Sequence, residues 1–269
     1  MNFKEKYGNV ALIAGASEGL GEAWSKALAK RGLDVILLAR RKEPLEKLAT
    51  EIEQQYKVKA TPVSIDLNAP DLIEKIQAVI GDTEVNFLVY NAGQSYIGNF
   101  FDHAIDKHIN MCRVNIEAPL MLAHYFGRKM VDRRKGGMIL MSSLAGFQGS
   151  GFLSTYASTK AFNRVLAESL WYEWKDKGVD VIGACAGTIA TPNYINTNPK
   201  DIGLFAPKVQ TPEEVAEECL NKIGKAPSFV VGLGNRIASF FMNRILPKQM
   251  AVNIMGDTTR KMYADKIRG

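Results

Sequence analysis

The sequence predicts an α/β fold, a doubly wound parallel sheet of about seven strands with helices on both faces. Three observations predict it. Short apolar runs of strand length alternate with longer stretches of helical spacing along most of the chain. The runs are close to continuously apolar, as in strands covered on both faces. The first run ends in a glycine-rich turn that opens a helix.

Length and composition frame that reading. The 269 residues, 46% hydrophobic and 23% charged, suit one globular unit spanning 1–269, large enough for a substantial core. There is no repeat and no obvious linker. The net charge of +6 is spread among acids, which argues against a nucleic-acid stripe, whereas a phosphate-bearing ligand needs only a few cations. Cys112, Cys185 and Cys219 are odd in number and far apart, and His103, His108 and His124 fit no ligand spacing. No metal site and no disulfide framework is expected, and a reducing compartment is. Without an 18-residue apolar run or a leader-like N-terminus, the protein reads as cytoplasmic.

In chain order, residues 9–14 form the first strand. Gly15-Ala16-Ser17-Glu18-Gly19-Leu20-Gly21 follows, then a helix from Glu22 to Lys30. Strand, tight glycine turn and helix N-terminus are the context in which a backbone receives a pyrophosphate. The spacing, G-x-x-x-G-x-G, differs from the G-x-G-x-x-G fingerprint. Asp34–Ala39 reads as the second strand, with Arg40-Arg41 at its end. An acid in that place would bond the adenosine 2′-hydroxyl; arginines suit a 2′-phosphate, so NADP(H) is preferred and NAD(H) stays open. Glu18 puts an unhelpful negative charge near those phosphates.

Pro44–Tyr56 is a helix, 59–65 a third strand with Asp66-Leu67 at its ligand-facing end, and 71–80 a helix. Residues 85–90 form the fourth strand, closed by Asn91-Ala92-Gly93. Asn91 either ties strand ends together or touches ligand. A helical stretch from about Ala104 to Val131 contains Asn115 among apolar residues. A lone amide there needs partners; it either breaks the helix locally or holds a water beside Lys160.

The fifth strand, 137–143, ends on Ser142-Ser143, and a long helix runs from Thr155 to Lys175. Phe162, Leu166, Leu170, Trp171 and Trp174 recur on it near helical spacing and are assigned mainly to core, with pairing across a dimer as the alternative. The sixth strand is 178–185. The stretch 186–210, with Pro192, Pro199, Pro207 and scattered apolar residues (Ile189, Tyr194, Ile195, Leu204, Phe205), is long enough to be a substrate lid. Thr211-Pro212-Glu213-Glu214 starts a capped helix, and 227–232 is the seventh strand. The extension 235–269 carries Ile237-Ala238-Ser239-Phe240-Phe241-Met242 ahead of Arg244 and Lys248. It is read first as a cap over an apolar cleft or a subunit contact, and second as a membrane-surface contact.

Tyr156 and Lys160 are four apart on the long helix, hence one turn apart on one face. A phenol titrates near ~10, and a neighbouring ammonium favours its ionised form, bringing it toward the working range of a general acid. A hydroxyl from the strand tip at Ser143 can meet the phenol on a substrate oxygen.

Gly15-x-x-x-Gly19-x-Gly21, Asn91-Ala92-Gly93, Asn115, Ser143 and Tyr156-x-x-x-Lys160 occur in the order and spacing of the short-chain dehydrogenase/reductase family, which the chain resembles from about Val10 to Val231. The resemblance implies a Rossmann-like fold and a catalytic set of Asn115, Ser143, Tyr156 and Lys160. Tyr156 would be the acid/base and Lys160 would lower its pKa and bond the nicotinamide ribose. Ser143 would polarise the substrate oxygen, and Asn115 would hold a water in a proton relay. Cofactor contacts are implied for Gly15, Ser17, Gly19, Leu20, Gly21, Arg40, Arg41, Asp66, Leu67, Asn91, Ala92, Gly93, Tyr156, Lys160, Gly187 and Thr188. The chain departs from the family at Ala14, often a threonine, and at Ala186-Gly187, usually Pro-Gly, which leaves the lid's entry less rigid. The resemblance implies a carbonyl/alcohol oxidoreductase that works as a homodimer or homotetramer. The apolar lid suggests a largely apolar ketone, aldehyde, 3-oxoacyl or ketosteroid substrate. A non-catalytic dinucleotide-binding regulator and a membrane-associated lipid reductase are the alternatives.

Overall fold

The computed structural model describes residues 2–202 and 208–267. Its centre is a seven-stranded parallel sheet in the order β3-β2-β1-β4-β5-β6-β7, with β1 Val10–Ala14, β2 Asp34–Ala39, β3 Ala60–Ser64, β4 Phe87–Tyr90, β5 Gly136–Ser143, β6 Val179–Ala186 and β7 Ser228–Val230. The doubly wound architecture expected from the sequence is what forms. The helices are α1 Phe3–Tyr7, α2 Leu20–Lys30, α3 Lys42–Tyr56, α4 Leu72–Ile80, α5 Ile105–Cys112, α6 Ala118–Asp132, α7 Ser154–Trp174, α8 Pro192–Ile195, α9 Pro212–Lys222, α10 Leu233–Phe240 and α11 Lys248–Met262.

The continuous apolar runs are explained by burial on both faces. Ala11 and Ile13 join the cluster under α2, α3 and α9, while Leu12 and Ala14 join the one under α4, α6 and α7. Alternate residues of a strand point to opposite faces, so each strand feeds both layers. The register sets Ala11 opposite Val35 on one side and Phe87 on the other. The chain builds outward from β1 to β3 and then crosses back to β4. That reversal opens a crevice beyond the C-terminal ends of β1 and β4, where open parallel sheets take ligands.

Three segments differ from the sequence-based expectation. The helix expected from Ala104 to Val131 is interrupted at Arg113–Glu117 by a π-helical turn with Asn115 at its middle. The residues 186–202 and 208–210 are tied down: α8 is capped by Thr191, and Ile189 bridges to Gln210. Leu204, Phe205 and Pro207 of the expected lid lie outside the described residues. On α7, Phe162, Leu166, Leu170, Trp171 and Trp174 are half-buried, and the fully buried side of the helix is Ala157, Thr159, Lys160, Asn163 and Ala167. Its buried face is therefore small and polar, because it carries the site.

The start of α9 follows its sequence signature. Thr211 accepts the Glu214 N–H at 3.2 Å while the Glu214 carboxylate accepts the Thr211 N–H at 3.1 Å, the reciprocal bonds of a capping box. Among the described residues no helix is long and apolar enough to cross a membrane.

Candidate active site

The site is assembled where β1, β4 and β5 end. Gly15 has φ +84°, and a Cβ there would sit 2.7 Å from the Ala92 Cα; one on Gly21 would meet the Gly15 carbonyl oxygen at 1.8 Å. Only glycine allows the turn to fold this tightly. Its first two N–H groups, of Gly15 and Ala16, donate to the Leu38 carbonyl at 2.8 and 3.0 Å. Across the crevice the Asn91 side chain donates to the Gly15 carbonyl at 3.2 Å, so Asn91 does tie two strand ends together.

β5 delivers the hydroxyls and α7 the phenol and the amine. Ser142 Oγ donates to the Lys160 carbonyl at 2.7 Å, and Lys160 Nζ donates to the Met141 carbonyl at 3.1 Å. These two bonds fasten the strand tip to the first turns of α7. Ser143 accepts the Ala145 N–H at 3.2 Å, and its hydroxyl lines the cleft with the Tyr156 phenol, whose pKa it lowers. Lys160 Nζ lies 5.7 Å from the Tyr156 ring centroid, on the same helix face, as the four-residue spacing requires.

The electrostatics correct one expectation. Burial pushes the Tyr156 phenol above its ordinary value, and the group that pulls it back is the Ser143 hydroxyl, not the Lys160 ammonium. Lys160 reaches toward Met141, and burial lowers its own pKa to about 8. Desolvation acts on both groups in favour of their neutral forms.

Asn115 is fully buried behind the cleft and does not line it. Its Oδ1 accepts the Gln94 N–H at 2.8 Å, and its Nδ2 donates to the Gln94 carbonyl at 2.9 Å and Thr159 Oγ1 at 3.0 Å. Of the two sequence readings, the local break in the helix is the one observed. The π turn presents the amide to Gln94 in the segment following β4, and the Tyr90 hydroxyl donates to the Val114 carbonyl. Such turns occur often at functional sites.

The cleft holds about 770 Å³, within the ~300–1,000 Å³ usual for small-molecule sites. It brings together Gly15, Ser17, Leu20, Arg40, Arg41, Asp66, Leu67, Asn91, Ala92, Gly93, Ser143, Tyr156, Lys160, Gly187 and Thr188. Gly21 packs against the back of the turn, and a Cβ on Gly19 would meet Thr191 of the lid at 3.1 Å. Asp66 accepts the Asn68 N–H at 3.0 Å, which fixes its carboxylate at the end of β3. Arg41 is engaged already, paired with Glu18 at 2.8 Å.

Sequence reasoning missed the walls. Gln94, Ser95, Ile97 and Leu153 line the cleft, and so do Thr191, Asn193, Tyr194 and Thr197 from the lid. The cleft-facing lid is thus richer in hydroxyls and amides than its apolar content suggested, while Ile195 points outward and is exposed. From the C-terminal extension only Tyr263 reaches the cleft among the described residues. Leu233, Ile237, Phe240, Phe241 and Ile245 are exposed, so the apolar run is not the cap. His108 was also unforeseen: its Nε2 bonds the Phe100 carbonyl at 3.1 Å and its Nδ1 the Thr155 hydroxyl at 2.8 Å. A carbonyl only accepts, so Nε2 donates to Phe100. This ties the loop before α5 to the residue preceding Tyr156. Among the described residues no group of three or more His, Cys, Asp and Glu is placed to hold a metal ion.

Comparisons with known proteins agree with this geometry. The family model described as short chain dehydrogenase matches residues 9–202. A 7beta-hydroxysteroid dehydrogenase of Clostridium sardiniense is 34% identical over 236 residues, 88% of this chain and 90% of that protein. A solved 7beta-hydroxysteroid dehydrogenase structure superposes with a TM-score of 0.88 at 30% identity, covering 95% of this chain and 99% of the other. A short-chain dehydrogenase from Sphingobium yanoikuyae in complex with NADPH superposes at 0.74 with 25% identity, covering 83% and 87%.

Proposed function

The chain belongs to the short-chain dehydrogenase family, oxidoreductases of CH–OH and C=O groups, and on that premise we propose an NADP(H)-dependent reductase/dehydrogenase with Tyr156 as general acid/base. The observation that carries the proposal is the Ser143–Tyr156 hydroxyl pair at the cleft, with Lys160 buried beneath it. Residues 1–269 act in this reading as one catalytic unit, with 186–210 as its lid.

The residues fit a dinucleotide. The close approach of Gly21 to Gly15 leaves the pyrophosphate a bare backbone at the start of α2. Since Gly15 and Ala16 already bond Leu38, the anion is held further along, at Ser17 to Leu20. Asp66 and Leu67 border the adenine end, and Asn91, Ala92, Gly93, Gly187 and Thr188 the nicotinamide end. Arg40 and Arg41 stand where a 2′-phosphate would lie. The relative solved with NADPH supports the same preference, and NAD(H) is the weaker second cofactor.

A bound nicotinamide supplies or accepts the hydride. In reduction, charge grows on the substrate oxygen, and the Ser143 and Tyr156 hydroxyls donate to it where it develops. A phenol whose pKa burial has raised is fully protonated at neutral pH, so the proton is present when needed. Ser143 counters the raise and makes the proton easier to release. Lys160, held by Met141, supports the phenol from below and offers its Nζ to a ribose. Asn115 acts by fixing Gln94 and Thr159, and so the position of the cleft wall.

The substrate is a ketone or secondary alcohol with an apolar body, of ketosteroid or 3-oxoacyl type. The resemblance to hydroxysteroid dehydrogenases favours the steroid member of that pair. The scattered free cysteines suit a cytoplasmic protein, and the half-buried Trp171 and Trp174 of α7 suit a homodimer or homotetramer, measurable by light scattering. The exposed row from Leu233 to Ile245 keeps a membrane-associated variant of the same chemistry in play; sedimentation with anionic vesicles, with and without residues 235–269, decides it.

Following NADPH absorbance across ketosteroids, 3-oxoacyl thioesters and simple ketones identifies the substrate. With it, Tyr156→Phe is expected to lower kcat by roughly 10²-fold or more with the melting temperature unchanged. Turnover retained in that variant removes Tyr156 from the role.

A further inference from the structure

At the end of β2 two arginines stand side by side, and the turn before α2 brings an acid to the same rim. Arg41 Nη2 reaches the Glu18 carboxylate at 2.8 Å and donates to Ser17 Oγ at 3.3 Å. Arg40 differs. Its carbonyl accepts the Ser64 hydroxyl at 3.0 Å, which fixes the backbone, while its exposed side chain lines the cleft. The two cations are therefore not equivalent. We propose that Glu18 is a specificity-determining residue, which weakens the preference for NADPH over NADH by holding Arg41 and by keeping a carboxylate beside the adenosine 2′ position. This rests on the NADP(H) reading above.

Both partners of the pair are about half exposed, 54% for Arg41 and 46% for Glu18. An ion pair so open to water is weak, and a phosphate dianion, able to take two parallel N–H bonds from a guanidinium, displaces it. The displaced carboxylate can turn in solvent, but its backbone cannot move away. Its backbone belongs to the tight turn, where the Glu18 carbonyl accepts the Gly21 N–H at 3.2 Å and the residues before it are fixed to Leu38. Glu18 therefore stays on the rim that the dianion enters, and its half-exposed carboxylate acts on it through solvent. Attraction by Arg41 and repulsion by Glu18 largely offset each other, and discrimination falls to Arg40. NADH carries a 2′-hydroxyl in that place. A hydroxyl feels no such repulsion and can donate to the carboxylate.

Neutralising Glu18 should therefore act on one cofactor only. Titrating the protein with NADPH and with NADH, and following nicotinamide fluorescence, gives both dissociation constants without turnover. Glu18→Gln is expected to tighten NADPH by about five- to tenfold, the size of one charge facing a dianion across water-like medium. NADH should change less than twofold or weaken slightly. The NADPH affinity of the variant should also fall more steeply with salt, because a freed cation joins the site. Arg40→Ala should weaken NADPH more than Arg41→Ala does. An unchanged or weakened NADPH constant in Glu18→Gln, or equal tightening of both cofactors, overturns the role of Glu18. The cofactor reading fails separately: it falls if the wild-type protein binds NADH as tightly as NADPH, whatever the variant does. Glu18 is on the surface, and an unchanged melting temperature in Glu18→Gln confirms that the constants compare like folds.

Discussion

The floor of the cleft and its roof are built on different physical terms. In the floor, Ser142, Lys160, Asn115 and Thr159 are buried; Ser142 and Lys160 bond β5 to α7, and Asn115 bonds Thr159 and Gln94. The roof joins segments more than sixty residues apart. Lys200 N–H donates to the Met262 carbonyl at 2.8 Å, and its ammonium meets Asp265 at 2.7 Å. Thr197 touches the Tyr263 hydroxyl at 3.3 Å. Lys200 and Asp265 are exposed, where an ion pair is worth ~0–1 kcal/mol. Groups that handle protons are thus held where desolvation makes every unmade bond costly, while groups that greet the substrate are held by bonds cheap to exchange.

The sharpest way to break that contrast is to titrate the floor. Burial lowers Lys160 from 10.5 to about 8. Between those values the unfolded chain keeps a proton that the folded protein has released, so stability rises with pH across that window, by about 3 kcal/mol in all. Below pH 8 the buried charge is a standing cost. Lys160→Met should therefore show its greatest relative stability near neutrality, an advantage that shrinks as pH climbs from 8 to 10.5. The measurement is the difference in urea-unfolding free energy between variant and wild type. Taking the difference cancels buried Tyr90, whose raised pKa acts in the opposite direction. A difference independent of pH would mean that Lys160 is solvated, and the floor no drier than the roof.

Asn115→Ala comes next in size. It removes the partner of Gln94 N–H and carbonyl and of the Thr159 hydroxyl, and should cost about 2–3 kcal/mol of stability, the range for orphaned polar groups. Because the amide fixes the cleft wall, kcat should fall with it. A variant that melts normally yet turns over slowly would instead favour the water-holding role that the family resemblance implies.

The contrast also explains what could be read without coordinates. Tyr156 and Lys160 were legible because a helix turns strict spacing into a shared face, and Gly15 and Gly21 because nothing larger fits there. Strand ends were legible at β1, β2 and β4 because parallel strands buried twice are nearly uninterrupted apolar words, whereas the edge strand β3 carries Thr61, Pro62 and Ser64. Tyr263 was not, since nothing local distinguishes it from any tyrosine late in a helix; only the fold sets it against Thr197. The apolar content of the lid misled for a related reason. Ile195 and Tyr194 are neighbours on the single turn of α8, where one faces solvent and the other the cleft, and one turn is too short to show a period. The pairing of Glu18 with Arg41 joins two places that sequence reasoning had marked separately, as a repulsive charge and an attractive one.

Tyr263→Phe tests the roof at its smallest scale. The Thr197 hydroxyl donates to the Tyr194 carbonyl at 2.6 Å, so in its contact with Tyr263 it is the acceptor and the phenol is the donor. Removing one oxygen takes away that single neutral bond and leaves the ring, which is 9% exposed, in place. A bond of this kind contributes ~0.5–1.5 kcal/mol, and here it joins two segments that can each turn to water instead, so the lower end applies. KM for the identified substrate should rise two- to fourfold, by this estimate, with kcat within twofold and the melting temperature within about 2 °C. Should kcat drop by as much as in Tyr156→Phe, the roof would share in the proton chemistry, and the division between a dry floor and an exchangeable roof would fail at Tyr263.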